Sequence, residues 1–183
     1  MKPTAAPIDG FGEHDIHLFR EGTHSQLYRK LGCHLGAEGA RFALWAPNAE
    51  AVSVVGDFND WRDDAHPLQP RWDGSGIWDA PVPAVQQGQR YKFRIRTRDG
   101  ALLDKADPFA RRAELPPATG SVVWRSDDYV WCDEAWMRER SARNALGAPM
   151  AVYEVHLGSW RRGPDGHWLG YREAARQEPR CTS

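Results

Sequence analysis

The chain has 183 residues, enough for one domain and part of a second. Hydrophobic residues make up 41% and charged residues 27%, a composition typical of globular proteins, which excludes an intrinsically disordered chain. The 24 basic residues nearly balance the 25 acidic ones, so no basic field exists for nucleic acid or an anionic membrane, and a neutral or small partner is favoured.

The first predicted element is a short helix over residues 21–32. Residues 1–17 have few periodic apolar positions, and we expect them to form a flexible lead-in. In "EGTHSQLYRKLG", Thr23 and Gln26 have the spacing of a capping box, and Gly32 suits the position after the last helical turn. The apolar side chains between them would form a buried stripe.

From residue 40 the hydrophobic period changes to two, which indicates strands. Asp99-Gly100 is a strong hairpin signal between two such segments. The predicted strands are 41–45, 51–56, 76–83, 90–97, 101–104 and 120–125. Short strands with turn signals between them predict a mainly β protein with an antiparallel β-sandwich.

The pattern changes again after the predicted sandwich. Residues 133–147 read as a polar, arginine-rich helix within a helical linker over 131–149. Residues 150–160 are almost continuously apolar as far as Leu157, as in a strand buried on both faces of a parallel sheet. With the start of a helix at 171–177, this indicates the truncated beginning of a second domain over 150–183.

Several stretches resemble bacterial 1,4-α-glucan (glycogen) branching enzymes. The most specific are "GTHSQLYRKLG" (22–32) and "YEVHLGSWRR" (153–162). "WAPNAEAVSVVGDFNDW" (45–61) is shared more widely among proteins that act on starch and glycogen.

The resemblance implies a domain plan and an activity. Residues 18–130 would form an immunoglobulin-like carbohydrate-binding module of family 48. Residues 150–183 would begin the (β/α)8 barrel of glycoside hydrolase family 13. In that family three acidic residues run a retaining mechanism, and a glucan C6 hydroxyl captures the intermediate to create an α-1,6 branch in glycogen biosynthesis. The resemblance places all of these catalytic residues beyond the end of this sequence, so no catalytic residue is assigned.

Trp61 and Lys92 are the candidate glucan-binding residues. Both fall on positions that contact sugar in glycogen-binding members of family 48, where an indole face stacks on a glucose ring. Strong binders carry a second tryptophan in the following hairpin, whereas 98–104 reads "RDGALLD". The missing aromatic favours the alternative that Trp61 caps the sandwich edge and Lys92 is a solvated strand residue. We expect Trp45 and Trp78, which lie in strands, to pack in the core or between the sheets.

The remaining residue types indicate neither a metal site nor a cofactor. Cys33, Cys132 and Cys181 are scattered and outside any CxxC spacing, which fits reduced thiols in a cytoplasmic protein. The histidines show no metal-ligand spacing. We therefore expect a cytoplasmic protein, and the resemblance implies a monomer whose partner is an α-glucan such as glycogen.

Three functions remain open at this point. The chain could be the N-terminal part of a branching enzyme, a non-catalytic glucan-binding or regulatory module, or the non-functional product of a broken gene. A barrel strand in residues 150–160 would favour the first over the second, because a free-standing module has no need of one.

We expect these 183 residues alone to form no α-1,6 branches on amylose, because the family's catalytic positions lie outside them. An assay for new α-1,6 linkages measures this. Detectable branching would show that catalytic groups are present within the chain.

Overall fold

The computed structural model describes residues 10–125, 130–150, 152 and 154–177. The chain consists of two compact units, Met1–Val130 and Trp131–Ser183. In the first unit the helix and strands are, in chain order, α1 Glu13–Glu21, β1 Gly32–Leu35, β2 Gly39–Trp45, β3 Ala49–Gly56, β4 Gln69–Pro70, β5 Ile77–Pro83, β6 Arg90–Thr97, β7 Leu102–Lys105 and β8 Ser121–Val122.

The strands form two antiparallel sheets, as the alternating pattern predicts. The first sheet has the order β1-β2-β5-β4. The second, which we call the β3–β6 sheet, has the order β3-β6-β7, with β8 also paired to β6. The strands β2, β3, β5, β6, β7 and β8 confirm the six predicted segments, while the short strands β1 and β4 were not predicted.

The core lies between the two sheets and is built from alternate residues of their strands. Phe42 of β2 is fully buried and packs edge-to-face on Tyr91 of β6, with ring centroids 5.1 Å apart. Phe93 and Val54, which face each other across β6 and β3, join the same cluster. The mainly β, antiparallel fold class is confirmed.

Helix α1 covers the opposite face of the first sheet. Ile16 of α1 joins a second cluster with Ala43 and Ile77 from the strands beneath it. Trp45 lies at the end of β2 on this side, 6.0 Å from Phe19 between ring centroids, and remains 53% exposed. The expectation of a core position for Trp45 is therefore wrong, because its side of the sheet is only partly covered. Trp78 does pack against the core.

The predicted helix over 21–32 is wrong in position. The helix is α1, eight residues earlier, and it includes residues 13–17 of the expected flexible lead-in. The Gly12 amide donates to Asp15 at 2.9 Å in the first turn, and Gly22 ends the helix in the left-handed region at φ 73°. Only a 3₁₀ turn, Leu27–Arg29, occupies the predicted segment, and Gly32 already opens β1.

The second unit is helical in its described residues. Helix α2 spans Glu134–Arg143 and α4 spans Tyr171–Gln177, which confirms both predicted helices. A short α3, Leu157–Trp160, begins inside the predicted strand over 150–160. Residues 151 and 153 lie outside the described residues, and none of the others in this segment forms a strand. A strand needs a hydrogen-bonded neighbour, and the described residues of this unit offer only an isolated bridge between Arg162 and Trp168.

A buried hydrogen-bond cluster joins β6 to the segments that follow the β6–β7 hairpin. The Tyr91 hydroxyl donates to Asp107 at 2.6 Å, and the Phe109 amide donates to the same carboxyl group at 2.8 Å. The Asp107 amide in turn donates to the Ser121 hydroxyl of β8 at 2.8 Å. Burial raises the pKa of Asp107, and the bonds from Tyr91 and Phe109 oppose that rise.

Replacing Tyr91 with phenylalanine removes the donor to this buried carboxyl group without changing the ring. We expect a loss of about 1–3 kcal/mol in the free energy of unfolding, the cost of an unsatisfied buried polar group. Urea denaturation measures it, with the exposed Tyr28→Phe as control. Equal stability of Tyr91→Phe and wild type at pH 7 would show that this bond is not needed.

Asp15 provides a second test, of the contact between α1 and the following loop. Burial raises the pKa of its carboxyl group, but bonds from the Gly12 amide, Lys30 and His24 lower it to about 2 overall, from 3.8. Because the folded pKa is below the unfolded one, the stabilisation is present above the unfolded value and disappears as the pH falls towards 2.

We therefore expect Asp15→Asn to lose on the order of 2 kcal/mol at pH 7, and the gap to wild type to close between about pH 5 and pH 2. Thermal or urea unfolding across this pH range measures the gap. Glu13→Gln removes a charge from the same turn and is the control. A gap that stays constant down to pH 2 contradicts this role for the carboxylate.

Candidate functional site

Trp61 ends a tight turn that follows β3. Asp57–Asn59 form a 3₁₀ turn, and Asp60 and Trp61 then both adopt left-handed backbone, at φ 52° and 60°. The Asn59 side chain holds this turn, since it accepts from the Gly56 amide and donates to the Val54 carbonyl, both at 2.9 Å. The Trp61 amide donates back to the Gly56 carbonyl at 3.1 Å. The asparagine thus fixes where the tryptophan leaves the sheet.

The indole of Trp61 is half-buried and held by its polar edge. Its Nε1–H donates to Asp57 at 3.2 Å. Arg90, the first residue of β6, donates to the same carboxylate from its amide at 2.8 Å, from Nε at 3.0 Å and from Nη2 at 2.9 Å. These bonds from Arg90 are the main cause of the lowered pKa of Asp57. With its one donor already bonded, the indole can offer a ligand only its ring.

Lys92 lies two residues further along β6 and points away from the core. Tyr91 and Phe93 on either side of it are fully buried, so the alternation of the strand turns Lys92 outward. It pairs in register with Val55, the residue before Gly56. Trp61 and Lys92 therefore lie at the same end of the β3–β6 sheet.

A loop after β7 closes this end of the sheet. The Lys92 Nζ donates to the Thr119 hydroxyl at 2.8 Å. Glu114 accepts from the Gly120 amide at 2.9 Å and approaches Arg90 to 3.6 Å. Arg90 thus links the Trp61 turn to the loop that carries Thr119. Sequence reasoning missed Asp57, Arg90 and Thr119, although Asp57 stands within the "GDFNDW" turn.

Residues 98–104 of the β6–β7 hairpin contain no aromatic residue, and the two strands carry an ion pair. Arg94 of β6 and Asp104 of β7 face each other and form two hydrogen bonds, at 2.7 and 2.9 Å. Arg94 is the main cause of the lowered pKa of Asp104, and the nearby charge of Lys92 contributes. A sugar ring next to Lys92 would thus meet charged side chains on this side.

A hollow elsewhere on the first unit suits a sugar less well than the surface near Trp61 and Lys92 does. It has a volume of about 580 Å³ and lies beside Trp45, between α1 and the end of β2. Its polar groups already have partners within the protein. His24 bonds to Asp15 at 3.1 Å, the Trp45 indole N–H donates to the Ser75 carbonyl at 3.1 Å, and Arg20 donates to the carbonyl of Asp73. A glucan bound there would find few partners for its hydroxyls.

No metal centre emerges from the described part of the chain, where no group of three or more His, Cys, Asp or Glu side chains is placed to hold an ion. Cys33 is a buried free thiol, and Cys132 is exposed. Among the described residues no helix is long and apolar enough to cross a membrane.

Residues 30–110 match the family model of carbohydrate-binding module 48, the isoamylase N-terminal domain. The chain is 60% identical over 165 residues to the 1,4-alpha-glucan branching enzyme GlgB of Aromatoleum aromaticum, and 59% identical over 165 residues to that of Albidiferax ferrireducens. These alignments cover 90% and 89% of this chain and 26% of each relative. A maltotriose complex of a Klebsiella pneumoniae pullulanase mutant aligns with 52% of this chain and 11% of its own, at a TM-score of 0.44 and 25% identity.

The resemblance to bacterial branching enzymes is therefore confirmed, and it covers their N-terminal region. The chain spans about a quarter of the length of the two relatives. The matched module includes β1–β7 and both predicted site residues.

Proposed function

We propose that this chain, whose residues 30–110 belong to the carbohydrate-binding module 48 family, binds α-1,4-glucan through Trp61 and Lys92. The observation that supports this most directly is the indole of Trp61, which Asp57 holds at the end of the β3–β6 sheet that also carries Lys92. Stacking on such an indole suits the apolar face of a glucose ring, because the ring needs no donor from the tryptophan.

Lys92 would supply the polar half of the contact. Its Nζ bonds to Thr119, so ammonium and hydroxyl stand together and can both meet sugar hydroxyls. Because the hairpin provides no second stacking ring, we expect weak binding of a single chain, about millimolar.

We further propose that the module serves a cytoplasmic enzyme of glycogen biosynthesis that transfers α-1,4-glucan segments to C6 hydroxyls. The named relatives are 1,4-alpha-glucan branching enzymes, and the identity to them supports this role. The module would hold donor or acceptor chains close to the catalytic part of the whole protein. Its low affinity would then allow a chain to be released after transfer.

We expect Trp61→Ala to abolish most retardation of the chain in native gels that contain glycogen, because the stacking face is lost. Lys92→Met, which keeps the aliphatic stem, should weaken retardation less. Trp72→Ala is the matched control, since Trp72 is 85% exposed in a separate turn. Equal retardation of wild type and Trp61→Ala would reject Trp61 as the platform and favour a capping role.

A further inference from the structure

We infer that His66 is a positioning residue for Trp61: its neutral imidazole accepts a hydrogen bond from Asn59, and protonation of the ring releases the turn that carries the tryptophan. This inference rests on the proposed function, because it makes glucan binding at Trp61 depend on pH.

Backbone pairing places His66 beside the Trp61 turn. The Val54 amide donates to the His66 carbonyl at 3.0 Å, which holds the residue against the outer edge of β3. The imidazole is half-buried and packs edge-to-face against Phe58 of the turn, with ring centroids 5.7 Å apart. Its Nδ1 lies 2.9 Å from the side-chain nitrogen of Asn59.

The hydrogen bonds of Asn59 determine which ring nitrogen of His66 carries the proton. The asparagine oxygen accepts from the Gly56 amide, and its nitrogen donates to the Val54 carbonyl, both at 2.9 Å. A flipped side chain would set donor against donor and acceptor against acceptor at these two backbone groups, so its orientation is fixed. The second hydrogen of the asparagine nitrogen is therefore directed at His66, and Nδ1 has to accept it. The imidazole is consequently neutral, with its proton on Nε2.

A second proton on this imidazole would create a clash of donors. In the imidazolium form both ring nitrogens carry hydrogen, so Nδ1–H would face the Asn59 N–H across 2.9 Å with no acceptor between them. Either the ring or the asparagine side chain then has to move.

The effect reaches Trp61 through a single residue. Gly56 donates its amide to Asn59 and accepts from the Trp61 amide at its carbonyl, at 3.1 Å. Asp60 and Trp61 both have left-handed backbone, which is unfavourable for residues with a side chain. The turn therefore depends on these bonds, and without them the indole is no longer fixed.

Burial keeps His66 neutral at neutral pH. The charged side chains on the turn, on its own loop and on the neighbouring strand β6 are Asp57, Asp60, Arg62, Asp63, Asp64, Lys92 and Arg94. Several have partners of their own, as in the Arg62–Asp64 pair at 3.3 Å and the Arg94–Asp104 pair at 2.7 Å. Loss of hydration lowers the pKa of His66 from its ordinary value of 6.5. Because the folded pKa is below the unfolded one, the contribution of the neutral ring is complete above 6.5 and is lost as the pH falls from there through the folded value.

The first measurement follows the full 183-residue chain without sugar by ¹⁵N NMR, between about pH 8 and about pH 5, where histidines titrate. At the upper end we expect the His66 ring nitrogens to show the Nε2–H tautomer. As the pH falls, the backbone amides of Gly56 and Trp61 should shift with the same midpoint as the ring. His66→Asn, whose Oδ1 replaces Nδ1 as acceptor but does not titrate, should abolish this response. His17→Asn removes an exposed histidine of α1 and should leave the response unchanged.

The second measurement adds maltohexaose and reads the Trp61 indole N–H signal. We expect wild type to lose affinity about fivefold from the upper to the lower end of the pH range, the factor that one typical hydrogen bond provides. His66→Asn should bind equally at both ends. His66→Ala has no acceptor for Asn59 and should bind about fivefold more weakly than wild type at the upper end.

Three results would overturn the inference alone. The first is an Nδ1–H tautomer of His66 at the upper end of the range. The second is a titration of the Gly56 and Trp61 amides that is the same in His66→Asn as in wild type. The third is a wild-type affinity for maltohexaose that does not change with pH. If maltohexaose shifts the Trp61 indole signal at neither end, the proposed function fails, whereas the sugar-free titration still decides whether His66 positions Trp61.

Discussion

The register between β3 and β6 is the constraint on which the rest of the first unit depends. It places Val54 opposite Phe93 in the core between the sheets, and Val55, which is also fully buried, opposite Lys92 on the other face of the sheet. A slip of one residue would exchange the two faces, burying lysine and arginine and exposing the aromatic core. The core therefore selects the register, and the register in turn sets the order of Lys92, Arg94 and Arg96 on the outer face.

Asp57 connects β6 to the turn that carries Trp61. It accepts three hydrogen bonds from Arg90 and one from the Trp61 indole, so the first residue of β6 positions a ring in another segment. Exposed ion pairs alone contribute little to stability. Here two guanidinium nitrogens of Arg90 and its backbone amide all donate to the Asp57 carboxylate. These bonds fix the geometry of the turn more than they add to the free energy of unfolding. Because the same carboxylate binds the Trp61 indole N–H, these bonds also orient the indole ring.

Much of the fold could be predicted because the strands of the sandwich follow a period of two, and the turn residues between them are unambiguous. Helix α1 was missed because its apolar residues Ile16 and Phe19 are few, and its burial comes from tertiary contact with the first sheet. The capping-box spacing at Thr23 and Gln26 favoured the wrong segment, since local spacing cannot show that Gly32 belongs to a strand. Strands β1 and β4 are too short for a pattern to emerge.

The candidate site could be predicted only in part, for a related reason. Trp61 and Lys92 are predicted from the family resemblance, through motifs that each occupy a few neighbouring residues. The residues that hold them come from further along the chain: Arg90, which bonds to the Asp57 that holds Trp61, is 33 residues from Asp57, and Thr119 is 27 residues from Lys92. No spacing rule connects such positions, because the pairing of β3 with β6 brings them together.

The ion pair in the β6–β7 hairpin determines which contacts this surface could offer as the proposed glucan-binding site. A second aromatic ring would add stacking energy at one sugar, whereas Arg94 and Asp104 satisfy each other and add little to any single contact. Hydrogen bonds to sugar hydroxyls replace hydrogen bonds to water, so each contributes a small net gain. A surface of this kind gains affinity by adding contacts along a chain, because the entropy lost on association is largely incurred once, at the first sugar. It would thus distinguish long glucan chains from short ones, which a single stacked ring does poorly.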